Sequence, residues 1–200
     1  MDKADALAKV YARCRERVDL AYPGAERVLV FGEGDPDARV MLVGEAPGEK
    51  ETLLRRPFVG KAGKNLEEFL EILRFSREQL YITNVVKFRP VKIHPRTGTL
   101  SNRPPDREEI GLFIPTLLEE IRTVSPAFLV TLGNTSLRAV TGDNRLTVGG
   151  CHGQPRKLET GGVSVTLFPL YHPASIIYNR SLAPVYRQDV AALGKFLQKM

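Results

Sequence analysis

Four short apolar runs alternate along the chain with segments of helical periodicity. The runs cover residues 39–43, 80–86, 128–132 and 163–168, and each is rich in residues that favour strands. Their length and continuous apolar character are typical of buried strands. Strands that alternate with helices predict a parallel sheet with helices on both faces.

The segments between these runs predict helices. Residues 63–73 place Leu66, Phe69, Leu70 and Leu73 on one helical face. The other predicted helices are a charged N-terminal helix within residues 1–24, a helix from residue 106 to about 122, a short helix after residue 134, and a closing helix over residues 185–197. Together these elements predict one domain over residues 1–200.

The third of these helices has a marked beginning and a proline. Asp106 followed by Glu109 has the spacing of a capping box. Pro115 should kink the helix or lie close to its beginning, because proline lacks a backbone N–H and clashes with the preceding turn. Residues 88–105 come before this helix and contain four prolines and no acidic residue, which predicts a basic loop.

Composition narrows the class of protein. Lys and Arg number 29 against 23 Asp and Glu, so the net charge is +6, which favours a polyanionic partner such as nucleic acid. Cys14 and Cys151 are too few for a four-thiolate metal site or a disulfide framework. We find no apolar signal core and no run long enough to span a membrane, so we expect a soluble, cytoplasmic protein.

Polar residues that could take part in catalysis follow three of the predicted strands. Glu45, Asn84 and His172 each come where a strand should end, and ligands bind outside the carboxyl ends of the strands in such sheets. Phe58 lies in the Gly-containing segment RPFVGKAG. A carboxylate, an amide, an imidazole and an aromatic ring are the groups needed to hold a planar base and to break its bond to a sugar.

Four motifs carry a resemblance to a known family. GEAPG (44–48), PFVGKAG (57–63), TNVVK (83–87) and HPAS (172–175) occur in the order found in uracil-DNA glycosylases of the family 4 type, which are usually recognised by an iron–sulfur cluster. The resemblance covers roughly residues 25–197. It implies a three-layer α/β/α fold with a central four-stranded parallel sheet. It also implies base excision repair, in which a flipped uracil is hydrolysed from DNA and an abasic site remains.

The resemblance assigns a role to five side chains. Phe58 would stack on the base, and Asn84 would pair with uracil N3–H and O4, which cytosine presents with reversed polarity. His172 would hydrogen-bond uracil O2 as negative charge grows there. Glu45 would orient the attacking water, and Glu51 matches a second acidic position that could help to organise that water.

Further residues are expected to contact the base or the DNA. Gly44 and Ala46 would lie against the base, because glycine lets the backbone approach a ligand closely. Ile176 and Ile177 could form an apolar wedge that fills the gap left by a flipped base. The remaining candidates for DNA contact are basic or polar: Lys61, Lys87, Arg89, Lys92, Arg96, Arg103, Ser175 and Arg180.

The sequence also departs from the family pattern. The family has an N-terminal Cys-x-x-Cys pair, a cysteine after the TNVVK strand and one in the following helix. Here Cys14 remains, but Arg17 and Phe88 stand at two of the other places, and residues 110–118 contain no cysteine. We therefore expect no cluster and no other metal, with Phe88 and its neighbours packed where the cluster would lie. The loop at 88–105 is also longer than the usual form.

Two alternatives stay open. In a related branch a histidine in this loop crosslinks covalently to the uracil site, and His94 of the Lys92–Ile93–His94 segment could play that part. In a second alternative the protein binds nucleotides or nucleic acid without catalysis, with GEAPG as a phosphate-contacting turn. The combination of Glu45, Asn84 and His172 argues against simple phosphate binding, which needs none of the three. In each case we expect a monomer.

Overall fold

The computed structural model describes residues 2–198, without the side chains of 61, 62, 64, 65, 177 and 178. The strands are β1 (Glu33–Gly34), β2 (Val40–Gly44), β3 (Tyr81–Asn84), β4 (Val91–Ile93), β5 (Leu100–Asn102), β6 (Phe128–Leu132), β7 (Arg156–Thr160) and β8 (Val163–Leu170). The α-helices are α1 (Lys3–Ala21), α2 (Glu49–Leu54), α3 (Lys61–Leu73), α4 (Arg107–Val124), α5 (Asn134–Thr141), α6 (Pro173–Tyr178) and α7 (Ala183–Gln198).

The main sheet has six strands in the order β1-β3-β2-β6-β8-β7. The inner four strands, β3, β2, β6 and β8, are parallel and coincide with the predicted ones. The two edge strands, β1 and β7, are antiparallel to their neighbours and were not predicted. The sequence hides them because β1 is only two residues long and the first four residues of β7 alternate between half-buried and exposed.

Helices cover both faces of the sheet, as the three-layer prediction requires. Alternate residues of β2 point to opposite sides. Met41 belongs to one core and Leu42 belongs to the other. The first core includes residues of α1 and α4, and the second includes residues of α3 and α7. Strands buried on both faces are continuously apolar, which explains why the inner four could be read from the sequence.

Helix α4 begins as the sequence predicts and tolerates its proline. The Asp106 carboxylate accepts from the Glu109 N–H at 2.8 Å, and the Glu109 carboxylate accepts from the Asp106 N–H at 2.9 Å. Pro115 lies in the interior of the helix and not close to its beginning, and its side chain is exposed. Among residues 2–198, no helix combines the length and apolarity needed to cross a membrane.

The predicted basic loop contains a β-hairpin. Strands β4 and β5 pair antiparallel, with Val91 opposite Asn102 and Ile93 opposite Leu100. Gly98 adopts a φ of +66°, which glycine allows without strain, and the turn closes through the His94 N–H bond to Thr99 O at 2.9 Å. The strands are three residues each and largely exposed, so they leave no hydrophobic alternation in the sequence.

Candidate active site

A cleft of about 1060 Å³ opens at the carboxyl ends of β2, β3 and β6. The structure brings all four principal candidates to its walls, namely Glu45, Phe58, Asn84 and His172. Gly44 and Asn84 end neighbouring strands and lie side by side in register. The cleft is at the upper end of the size range of small-molecule sites, so it has room for a base with its sugar.

Glu45 directly follows β2 and is half-buried. One oxygen of its carboxylate accepts a hydrogen bond from the Thr135 hydroxyl, in the first turn of α5. The Glu45 carbonyl accepts from the Val86 N–H at 3.0 Å, which fixes the backbone at the strand end. Sequence reasoning missed Thr135, although its place directly after Gly133–Asn134 at the end of a strand could have indicated it.

Gly44 separates the Phe58 ring from the Asn84 amide. A Cβ atom on Gly44 would lie less than 3.0 Å from both Asn84 Oδ1 and Phe58 Cζ, so no larger residue fits. The absence of a side chain on Gly44 therefore allows the Asn84 amide and the Phe58 ring to approach each other closely. This tight packing agrees with the expectation that Gly44 lies at the base pocket, and Ala46 lines the same cleft.

Phe58 has an unusual backbone. Its φ of +53° is sparsely populated for a bulky residue and costs of order 1–3 kcal/mol, so the surroundings must impose it. Arg77 supplies part of that restraint by donating to Phe58 O at 3.3 Å and also to Pro57 O. The buried Phe58 ring faces His172 with 28° between the ring planes and 6.2 Å between the centroids. Sequence reasoning did not single out Arg77.

His172 caps the N-terminus of α6, where its Nδ1 accepts from the Ala174 N–H at 3.1 Å. Burial lowers its pKa from the ordinary 6.5 to about 4. The ring is therefore neutral near pH 7, and because Nδ1 is an acceptor its proton resides on Nε2. His172 lines the cleft as a neutral hydrogen-bond donor.

Lys87 corrects one prediction. We expected it to contact DNA, but its side chain is fully buried. Its ammonium group donates to Thr83 Oγ1 at 2.7 Å, to Asn84 O at 2.7 Å and to a Glu120 carboxylate oxygen at 2.5 Å. Lys87 therefore fixes the backbone of Asn84 from behind the strand and is inaccessible to phosphate.

Glu51 connects two loops of the cleft. One of its carboxylate oxygens accepts from the Gly60 N–H at 2.7 Å, and the other accepts from the Gly48 N–H at 3.2 Å. The side chain is buried at the cleft wall. Glu51 therefore holds these two loops together, and its expected part in organising the attacking water stays a prediction.

The basic residues of the hairpin divide into anchors and free cations. Arg103 was expected to bind phosphate, but its guanidinium forms a two-pronged pair with the buried Glu109 carboxylate at 2.6 and 2.7 Å, so it is a structural anchor. Arg89 lines the cleft and donates to Asn102 Oδ1 at 2.7 Å. Lys92 and Arg96 are exposed, as contact with DNA requires.

The remaining DNA candidates lie around α6 and α3. Ser175 lines the cleft and Arg180 is exposed. Ile176 is half-buried and packs against the second core, so it does not project freely as the wedge that we expected. The side chains of Lys61 and Ile177 lie outside the described part of the structure, so those two predictions stay untested.

The positions that would hold an iron–sulfur cluster are filled by other groups. Cys14 is buried, and burial raises the pKa of its thiol. Arg17 donates to Thr116 Oγ1 at 2.8 Å, and the Phe88 ring packs edge-on against Phe113 with 5.4 Å between centroids. One thiol among such neighbours does not fit a four-thiolate cluster. Within the described residues no group of three or more potential ligands could hold a metal ion.

The fold and the cleft define a superfamily. The sequence model of the family described as "Uracil DNA glycosylase superfamily" matches residues 31–199, and the chain belongs to this superfamily. The "Type-4 uracil-DNA glycosylase" of Sulfurisphaera tokodaii is 39% identical over 80% of this chain and 70% of its own length. The protein of the same name from Saccharolobus solfataricus is 34% identical over 94% of this chain and 84% of its own length. The one from Archaeoglobus fulgidus is 32% identical over 100% of this chain and 96% of its own length.

Proposed function

We propose that this protein is a uracil-DNA glycosylase of base excision repair. It hydrolyses the N-glycosidic bond of a flipped uracil nucleotide and leaves an abasic site in DNA. The observation that carries the proposal is the convergence of Glu45, Phe58, Asn84 and His172 in one cleft at the strand ends. Similarity over most of the chain to proteins named type-4 uracil-DNA glycosylases supports the choice of substrate.

Phe58 and Asn84 select the base. A uracil that enters the cleft stacks on the Phe58 ring, while the Asn84 amide donates to O4 and accepts from N3–H. Asn84 is buried and has the Lys87 ammonium on its carbonyl, so its side chain starts from a fixed backbone. A cytosine in the same pose would set donor against donor and acceptor against acceptor, which discriminates against cytosine.

His172 and Glu45 then stabilise the two halves of the breaking bond. The neutral His172 donates its Nε2 proton to uracil O2 as that oxygen becomes anionic, and one such donor is typically worth about 2.7–4 kcal/mol of barrier. Glu45 faces the cationic sugar and orients the water that attacks the anomeric carbon. The Thr135 hydroxyl occupies one Glu45 oxygen and leaves the other for that water.

The reaction as proposed uses no iron–sulfur cluster or metal. The side chains that replace the thiolates support this proposal, since Arg17 and Phe88 have bonds and packing of their own. A side chain of the cleft carries each proposed step. We also propose that the protein acts as a monomer in the cytoplasm, where it meets uracil-containing DNA.

Single-turnover assays on labelled DNA test the proposal. Uracil would be placed in a single strand, opposite guanine and opposite adenine, with hypoxanthine and xanthine substrates beside them. An abasic product that is cleaved by alkali supports hydrolysis. Retention of intact DNA would indicate a binding protein, and an adduct that survives denaturant would indicate the crosslinking alternative. The structure gives that alternative no support, since His94 is exposed on the hairpin and does not line the cleft.

A further inference from the structure

The β4–β5 hairpin presents an apolar pair to solvent. Ile93 is 67% exposed and Leu100 is 51% exposed, and the two residues are directly opposite each other in the hairpin register. Residues directly opposite in an antiparallel pair lie on the same face, with Cβ atoms about 4.5–5.5 Å apart, so they form one continuous patch. Where side chains are described, the other large exposed hydrophobic residues lie on helices α1 and α2.

The base of the hairpin is firmly attached to the cleft. Arg103 joins it to α4 through Glu109 and also donates to Val91 O at 3.1 Å, while Arg89 is bonded to Asn102. Leu100 itself contributes to the wall of the cleft. The hairpin is therefore a short arm with a fixed base and an exposed tip at the mouth of the proposed active site.

The charges on this arm favour DNA over an apolar protein surface. Lys92 and Arg96 are exposed on the arm, and residues 88–105 contain no acidic residue. An arm with an apolar patch on one face, a cation on the other face and a cation in its turn suits a duplex in which phosphates flank bases that have lost a stacking neighbour. Such bases arise next to any flipped nucleotide. Ile176, the expected wedge, packs against the core and leaves this role open.

We propose that Ile93 and Leu100 pack on the bases left unstacked beside the flipped nucleotide, while Arg96 in the turn and Lys92 on the other face of β4 hold phosphates of the same duplex. The proposal rests on base flipping as part of the proposed function, and it adds a second contact to the DNA. The arm gives apolar, sequence-tolerant contact with a distorted duplex. The cleft gives the recognition of uracil.

The test measures dissociation constants by fluorescence anisotropy over a series of salt concentrations. The two probes are a duplex with a tetrahydrofuran abasic analogue and the matching undamaged duplex. The variant is Ile93→Ser/Leu100→Ser, and Leu20→Ser is the matched control, since Leu20 is 82% exposed on α1. Ile93→Ala/Leu100→Ala is a milder second variant. Melting temperatures check folding, which exposed serines should leave unchanged.

We expect the serine variant to bind the abasic duplex at least roughly tenfold more weakly, because two large apolar side chains are no longer buried against the bases. The salt slope should equal that of the parent because no charge is removed, and the undamaged duplex should lose little. The alanine variant should show a smaller loss in the same direction. Lys92→Gln/Arg96→Gln should instead reduce the salt slope by about 1.8 units, or about 0.9 for each contact.

Equal affinities of the serine variant and the Leu20→Ser control for the abasic duplex would overturn the proposal. Equal losses on both duplexes would also overturn it, since the patch would then not sense unstacked bases. A parent that sediments as a dimer, and becomes monomeric in the serine variant without loss of DNA affinity, would make the patch a protein interface and refute our assignment. The abasic probe requires no catalysis, so failure to release uracil would contradict the glycosylase proposal separately.

Discussion

A Lys87→Met substitution tests the polar network buried behind strand β3. Lys87 and Glu120 have no exposed side-chain surface, and their charged groups are 2.5 Å apart. Methionine keeps most of the volume of lysine but removes three donors. Among the described residues, the Glu120 carboxylate would then keep the hydroxyl donors of Thr83 and Tyr11, at 3.1 and 2.9 Å. Burial first, and then Glu120, raises the pKa of both Tyr11 and Tyr81, so these phenols stay protonated.

The expected loss of stability is large. Removal of one partner from a buried ion pair costs about 3–5 kcal/mol, because the other charge remains buried without compensation. That is a substantial part of the roughly 5–15 kcal/mol that stabilises a typical domain. In the double variant Lys87→Met/Glu120→Gln no charge is left behind, and the glutamine oxygen still accepts from Tyr11 and Thr83. The double variant should therefore be more stable than Lys87→Met alone.

Guanidinium denaturation of the parent, Lys87→Met, Glu120→Gln and the double variant measures these differences in the free energy of unfolding. A fall of less than about 1 kcal/mol in Lys87→Met would contradict our interpretation, because it would place the pair in a solvated setting. A double variant that is less stable than Lys87→Met would contradict it as well. Under conditions where Lys87→Met is folded, its affinity for uracil should fall, because the Asn84 carbonyl loses its ammonium donor.

Five further predictions concern the cleft and the cofactor. His172→Ala should slow single-turnover release of uracil by roughly 10²–10³-fold, and a parental rate would remove the oxyanion role. Because the pKa of His172 is about 4, the parental rate should show no inflection near pH 6.5, and an inflection there that disappears in His172→Ala would refute the neutral ring. The unfolded chain binds this proton at higher pH than the folded one, so stability should fall as pH drops from 6.5 towards 4, as acid titrations of unfolding would show. Asn84→Asp should weaken release of uracil and admit cytosine, since a carboxylate accepts from the exocyclic amine, and unchanged selectivity in competition assays would contradict the reading role. Purified protein should lack iron–sulfur absorbance and keep its activity in a chelator, whereas stoichiometric iron needed for folding would defeat the cofactor proposal.

The sequence predicted the parts of the molecule that burial dictates. Strands β2 and β6 are apolar on both faces, and their ends bring Glu45 and its partners to one edge of the sheet. The direction of a side chain after a strand end is not encoded in the same pattern. Lys87 looks like a surface cation in TNVVK, and only the fold shows that Glu120, distant in sequence, draws it inward.

The hairpin escaped prediction for a different reason. Its base is held by specific polar bonds, such as that of Arg103 with Glu109, and polar bonds have no periodicity to detect. In the sequence alone, nothing distinguishes Arg103, which anchors the arm, from Arg96, which is exposed on it. Residues such as Arg77 and Thr135 act through Phe58 and Glu45, so they become visible only when distances are known.

Glu51 has a consequence for the thermodynamics of binding. Its carboxylate joins the loop after β2 to the loop before α3, and these loops carry Glu45 and Phe58. The conformational entropy of both loops is therefore lost once, during folding, and not again each time a base enters the cleft. A uracil arrives at a surface whose spacing is already set, so more of the interaction energy remains available to hold a nucleotide outside its duplex.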